Sequence, residues 1–377
     1  MIKMRKTGFS VLLVLLFCPL VVVVSALGQK SSKGTQLGDL FPPYTFPPLT
    51  SSQDLAYLGL SEGKPFTLGD VRADLIVVEL LNIYCTSCQK QAPIYNDVFD
   101  LVEKDPTMKG KVKWVGVGVG NNQREVESFR KLKQVPFPIV TDTQFKLYEA
   151  VGGPGGIRTP FTILVRKDEK GRGIVVDSHM GFRREKEEII EEIKAAFQYD
   201  IAYLKVEEGK RGALPVTEKL KPPIPEEELL KKIKDGMAAF GGITGEIRKI
   251  PPEDEYLYVG KVKVNGKEKQ LFATVVSWPP VCDICHDIHF IYVFDEGGKI
   301  TNFVPIHLTK YGNRVWDQED IEAMKSRLIG RSLLKPFEFN RDVDAITRAT
   351  ITSVVIFQRL SKGKEIYTAL MKQGYVK

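Results

Sequence analysis

The sequence predicts two α/β-type units in one chain: a sandwich with a mixed sheet in the first half and a smaller α+β unit in the second. Three features predict this. Between residues 74 and 199, buried-strand signals alternate with helical ones and end in a hairpin and a helix. Residues 206–225, VEEGKRGALPVTEKLKPPIP, carry charges, glycines and prolines that no regular element tolerates, so a boundary falls there. Beyond it come one helix and four strand-like runs, with the turn signals VNGKE and DEGGK between pairs of them. The expected divisions are a leader over 1–26, a lead-in strap over 27–50, a first domain over 39–200, a linker over 201–225 and a second domain over 226–377.

The leader has Lys3, Arg5 and Lys6, then an apolar run from Phe9 to Val24, then Val24-Ser25-Ala26. A charged start, an apolar core and a small-residue end read as a secretory signal cleaved after Ala26; retained, the run is near the length of a short membrane anchor. Cys18 follows Phe17, where a lipid-anchoring signal wants a small residue, and reads as an ordinary apolar position. Of the net +7, three charges belong to the leader, and the remaining +4 is too mild for a nucleic-acid binder. A periplasmic or otherwise exported protein is expected, touching a membrane only if the leader stays attached.

In order, DLIVVELLNIY (74–84) reads as a strand buried on both faces, and CTSCQKQAPIYNDVFDLVEK as a helix with Ile94, Val98 and Val102 on one face. VKWVGVGVG is a second strand, QREVESFRKLK a helix, FPIVTD, FTILVRK and GIVVDSHMG three more strands, and REKEEIIEEIKAAFQY a closing helix. VGVGVGNN lacks the third glycine of a dinucleotide loop, since Asn121 stands there, and reads as a strand packed closely through small residues. In the second half EEELLKKIKDGMAAF is a helix with Leu229, Ile233 and Met237 on one face. EYLYVGKVKV, KQLFATVVSW, HFIYVFD and KITNFVPIHL are strands, and DQEDIEAMKSRLIG is a helix.

Without the leader four cysteines remain, in two C-x-x-C pairs: Cys85/Cys88 and Cys282/Cys285. Structural disulfides in exported proteins usually close long loops; pairs this tight point to chemistry. Cys85 falls where a strand ends and a helix begins. Helix N-terminal amides stabilise a thiolate there, and Cys88, one turn on, is placed to resolve a mixed disulfide.

On these residues, with Pro93 in the helix and Thr159-Pro160 before FTILV, the chain resembles the thioredoxin-like superfamily, in particular exported redoxin-type reductases, over roughly residues 39–198. The resemblance implies a thioredoxin-like sandwich, a cis Pro160 facing the cysteines, and a buried acid at Glu79 that exchanges a proton with the second cysteine. It also implies a protein thiol or disulfide as substrate or redox partner. Thiol peroxidases carry a proline ahead of their nucleophile; VELLNIYCTSC has none, which argues against that chemistry.

The stretch DAITRATITSVVIFQRL resembles the exported domain that carries FMN on the last threonine of an Asp-x-x-Ser/Thr-Gly-Ala-Thr signature, over about residues 227–365. The matching positions are Asp344, Thr347, Ala349, Thr350 and Thr352, with Ser353 after them. Thr350 takes the attachment role, which implies covalent FMN and a flavin transferase as partner. Arg348 stands where the family has glycine; it either obstructs a close backbone approach or pairs with the phosphate.

Cys282-Asp-Ile-Cys285-His286 leaves three readings open. It has c-haem spacing, it is a redox dithiol, or with two of His286, His289 and His307 it holds zinc. The dithiol is favoured, with no metal, because the first pair is redox-active in type and the second leads straight into a strand. The expected function is thiol–disulfide exchange at Cys85/Cys88 coupled to a flavin domain. The alternatives are a flavin and c-haem electron carrier whose first domain docks a partner, and a binding protein on the same folds without the chemistry.

Overall fold

The run LIVVELL is a strand with every residue buried, and it is the centre of the first sheet. The structure, a computed structural model, describes residues 35, 37–61, 63–152, 157–201, 220–251 and 256–376. The expected leader and residues 202–219 of the expected linker lie outside the described residues.

In the first half the order is α1 (Ser52–Leu58), β1 (Leu75–Leu81), α2 (Thr86–Lys104), β2 (Val112–Val119), α3 (Gln123–Lys133), β3 (Ile139–Asp142), α4 (Lys146–Ala150), β4 (Phe161–Lys167), β5 (Gly173–Met180) and α5 (Lys186–Gln198). The sheet order is β3-β2-β1-β4-β5. β1, β2 and β3 are parallel, β4 runs antiparallel to β1, and β5 runs antiparallel to β4. This is the mixed sheet that the thioredoxin-like resemblance implies. Alternation along β1 assigns its faces. Leu75, Val77 and Leu81 pack in one cluster with Tyr95 and Val98 of α2, Phe129 of α3 and Ile193 of α5. Ile76, Val78 and Leu80 belong to a second cluster that reaches far into the other half of the chain.

The second half contains α6 (Glu226–Ala238), β6 (Gly242–Ile243), β7 (Arg248–Ile250), β8 (Leu257–Val264), β9 (Lys267–Trp278), β10 (Ile288–Asp295), β11 (Ile300–His307), β12 (Thr309–Lys310), β13 (Arg314–Val315), α7 (Gln318–Leu328), α8 (Arg341–Asp344), α9 (Thr350–Ser361) and α10 (Gly363–Lys372). Its main sheet is antiparallel in the order β11-β10-β9-β8-β6, with β7 also on β8. One face is covered by Leu229, Ile233 and Met237 of α6. From the other, Phe272, Phe290, Tyr292 and Phe303 join the large shared cluster.

The helix α9 explains why the halves share a core. Its sequence TITSVVIFQRLS places apolar side chains on every side, and eight of its twelve residues are buried, as in a helix enclosed by protein. Val354, Val355, Ile356, Phe357 and Leu360 are all buried, and full burial of each such side chain is worth about 1.5–3 kcal/mol. The same cluster contains Phe145, Tyr148 and Phe161 of the first half. The lead-in is packed as well: Leu40 bridges Ile174, Phe46 bridges Phe66, and both Phe41 and Phe46 are core residues. Among the described residues no helix is long and apolar enough to cross a membrane.

Candidate functional site: two cysteine pairs around one cavity

Cys85 is the N-cap residue of α2, and Cys88 lies within its first turn. Asparagines lock the turn before them. Asn82 donates from Nδ2 to Val119 O (2.8 Å), its Oδ1 accepts the Tyr84 N–H (2.9 Å), and its backbone carbonyl accepts the Cys85 N–H (2.9 Å). Asn121 Oδ1 accepts the Ile83 N–H (3.0 Å), and Gln89 Nε2 donates to Ile83 O (2.9 Å). Sequence reading gave Asn82, Asn121 and Gln89 no site role, because asparagines and glutamines near a turn carry no signal until the fold shows which carbonyl each one meets.

Both thiols are free and only 1% exposed. A hydrogen bond from the Cys88 thiol holds Cys85 below the ordinary thiol range against the opposing effect of burial, with further help from the Cys88 and Ser87 amides. Burial, first of all, pushes Cys88 well above that range; its proton's role in the bond to Cys85 and the nearby Glu79 push the same way. The thiolate is thus favoured on Cys85 and the proton on Cys88. Glu79, 3% exposed, shares the β1 face that α2 covers, and burial raises its pKa to about 8. A carboxyl at that value exchanges protons near neutrality.

Opposite the cysteines the Thr159–Pro160 peptide is cis. Cys85 Sγ lies 3.6 Å from Thr159 O. Thr159 in turn pairs with Cys282, across the two halves, as a parallel β-bridge. Its N–H donates to Val281 O (2.8 Å), its hydroxyl donates to the same oxygen (3.1 Å), and its carbonyl accepts the Asp283 N–H (3.2 Å). Cys282 and Cys285 form a disulfide, with Cα atoms 5.2 Å apart. Cys85 Sγ, Cys282 Sγ and an Asp283 carboxylate oxygen all lie within 4.8 Å of one another.

Beside them is a cavity of about 420 Å³, within the range of small-molecule and cofactor sites. Cys85, Cys282, Cys285 and Thr350 all line it, as do Tyr84 and His286. Of the residues expected to hold a cofactor, Arg348, Ala349, Thr350 and Thr352 are at its wall; Asp344 and Thr347 are not. Asp344 is buried and instead supports the loop, accepting from Arg331 Nη2 (2.9 Å) and Asn340 N (2.8 Å). Thr352 donates to Thr309 O (2.8 Å), which fixes the start of α9 against β12. Arg348 has φ +64°, the left-handed conformation that favours glycine.

The histidines divide. His286 is exposed at the cavity, whereas His289 is buried, bonded through Nδ1 to Ser277 Oγ (2.9 Å), with burial pushing its pKa down to about 4. The ring centroids of His286 and His289 are 6.1 and 6.5 Å from that of His307. The sulfurs that a haem thioether or a zinc thiolate would use are bonded here to each other.

No protein-family model matches the chain. It is similar to the thiol-disulfide oxidoreductase ResA of Geobacillus thermodenitrificans, 27% identical over 157 residues, which cover 41% of this chain and 82% of that protein. It is 26% identical to ResA of Geobacillus kaustophilus over 115 residues, 30% of this chain and 61% of that one. Among solved structures it is similar to a thiol:disulfide interchange protein DsbE from Chlorobium tepidum, with 20% identity, 43% of this chain and 99% of that chain covered, and a TM-score of 0.33. The chain thus carries a thioredoxin-like domain of the thiol-disulfide oxidoreductase type over about 40% of its length.

Proposed function

We propose that this is an exported redox protein in which thiol–disulfide exchange at Cys85/Cys88 is coupled to a second domain that holds FMN on Thr350. The observation that carries the reading is the common cavity: the nucleophilic thiol, the second cysteine pair and Thr350 line one wall-to-wall space. In exchange, the Cys85 thiolate attacks one sulfur of a partner disulfide. Cys88 then yields its proton, for which Glu79 is the nearby acceptor, and displaces the partner's thiolate from Cys85.

The residues present fit a phosphoester-linked flavin. The Thr350 hydroxyl belongs to the first residue of α9, where backbone N–H groups favour an anion, and Arg348 adds a cationic side chain to the lining, while Lys310 there is already paired with Asp317 and Asp320. The glycine-type backbone at Arg348 reproduces the local conformation that the signature's own glycine suits. FMN so placed would supply one- and two-electron redox chemistry beside a dithiol that passes two. The leader at 1–26 supports export, and a flavin transferase and a protein thiol or disulfide are the partners this reading requires.

Periplasmic expression with a flavin transferase tests both halves of the proposal. Intact mass should rise by one FMN, and Thr350→Ala should abolish the gain. Cys85→Ser should abolish exchange with a model disulfide while leaving loading intact. An unmodified Thr350 in a transferase-positive host removes the flavin part, exchange that survives Cys85→Ser removes the dithiol part, and haem bands in the reduced-minus-oxidised spectrum would restore the haem alternative.

A further inference from the structure

We infer that the Cys282–Cys285 disulfide is the built-in redox partner of Cys85/Cys88, so that electrons cross between the two halves of the chain through a Cys85–Cys282 mixed disulfide. The inference rests on the exchange chemistry proposed above and is independent of the flavin.

The backbone makes the first argument. Val281–Asp283 lies against Thr159, immediately before Pro160, and is held by a two-way main-chain bridge. Main-chain pairing of an extended segment onto an exposed edge is how peptides are commonly gripped, with side chains then presented to pockets. Here the gripped segment belongs to the chain itself, and the side chain it presents is Cys282.

Sulfur placement makes the second. Cys85 Sγ and Cys282 Sγ lie within 4.8 Å of each other. Cys282 is 1% exposed and packs in the same cluster as Cys85 and Cys88, while Cys285 is half-buried at the cavity wall. The inner sulfur faces the nucleophile, and the outer one is free to depart toward open space. A bridge enclosing two residues removes little chain entropy, so stapling alone gives it little to do.

The step balances without an outside reagent. The Cys85 thiolate attacks Cys282 Sγ; the Cys85–Cys282 bond forms, the Cys282–Cys285 bond breaks, and Cys285 leaves as thiolate and takes up a proton at the cavity. The ionised form of Glu79, populated as pH approaches its pKa of about 8, takes the proton of Cys88 and returns it to solvent, and Cys88 attacks Cys85, forming Cys85–Cys88 and releasing Cys282 as thiolate. Two electrons have moved, the first pair is oxidised and the second reduced, with one thiol and one thiolate in the reduced pair at each end. Tethering makes the event unimolecular, which raises the effective concentration to the millimolar range or above.

The test uses the full chain carrying Cys88→Ala, reduced, then exposed to oxidised glutathione, with free thiols alkylated and peptides mapped without reduction. The expected main species is a Cys85–Cys282 cross-link with Cys285 alkylated or glutathionylated. Cys285→Ala reaches the same cross-link from the other side, by attack of Cys282 on a Cys85–Cys88 disulfide, and serves if the first variant folds poorly. Cys85 found bonded to glutathione beside an intact Cys282–Cys285 bridge overturns the relay and leaves the exchange reading standing. Cys85 found as an unreacted thiol overturns both.

Discussion

Cys85 and Asp283 stand 198 positions apart in sequence, yet Cys85 Sγ is 4.0 Å from Asp283 Oδ1. A carboxylate beside a thiol disfavours the thiolate, so Asp283 raises the Cys85 pKa while the bond from Cys88 lowers it. Asp283→Asn removes the opposing charge, and the pH profile of Cys85 alkylation should move to lower pH; a profile that stays put or moves upward refutes this assignment. Glu79 gives a second handle. Its pKa is raised from 4.5 to about 8 by burial, so between those values the folded chain keeps a proton that the unfolded chain has lost. Stability contributed by that group therefore falls as pH rises through the window. Glu79→Gln should flatten the decline of Tm between pH 4.5 and 8, and an unchanged slope in thermal melts would show that Glu79 is not the buried acid described.

At the scale of elements, the loop from α8 into α9 decides how Thr350 is presented. Arg348 adopts φ +64°, and its carbonyl accepts the Tyr311 N–H at 2.7 Å, so the strained backbone is tied into β12–β13. A non-glycine residue in this region costs roughly 1–2 kcal/mol. Arg348→Gly should raise stability by about 1 kcal/mol, the relief of strain offset in part by the freer unfolded chain. Urea denaturation measures this directly, and a loss of stability would mean that the guanidinium contributes more than the backbone saves. On FMN loading, the same variant separates the two roles raised by the sequence: improved loading marks Arg348 as an obstruction, reduced loading as a phosphate partner.

Across the whole molecule the two halves share one core, so they should not melt independently. Gly120, in the turn after β2, shows the contact most sharply. A Cβ there would stand 2.7 Å from Phe145 Cζ and 2.9 Å from Val354 Cγ1 of α9, at a φ of +68°. Glu149 of α4 also pairs with Arg359 and Lys362 of the second half, and Arg341 stacks over the Tyr84 ring at 5.0 Å. Gly120→Ala should therefore destabilise by about 2 kcal/mol or more, through overpacking and backbone strain together. It should lower the transition seen by probes in both halves equally. Calorimetry of the wild type should give one cooperative transition; two separated peaks, only one of them moved by Gly120→Ala, would refute the shared core.

The sequence by itself determined the periodic features. The buried run of β1, the helix starting at Cys85, the hairpins of the second half and the two C-x-x-C pairs are all legible because each is set by neighbours within a few positions. Short elements without a full period, such as α1, α4 and the β12–β13 pair, were not legible, since too few residues repeat to show a face. Nor was the asparagine lattice under the cysteine turn. The approach of Cys282 to Cys85, the bridge at Thr159 and the cavity that joins Thr350 to Cys85, Cys282 and Cys285 were decided by tertiary structure alone. A residue's local pattern reports which face is apolar but not which distant surface will cover it, and here burial of α9 between the halves brings residues 85, 159, 282 and 350 to one place.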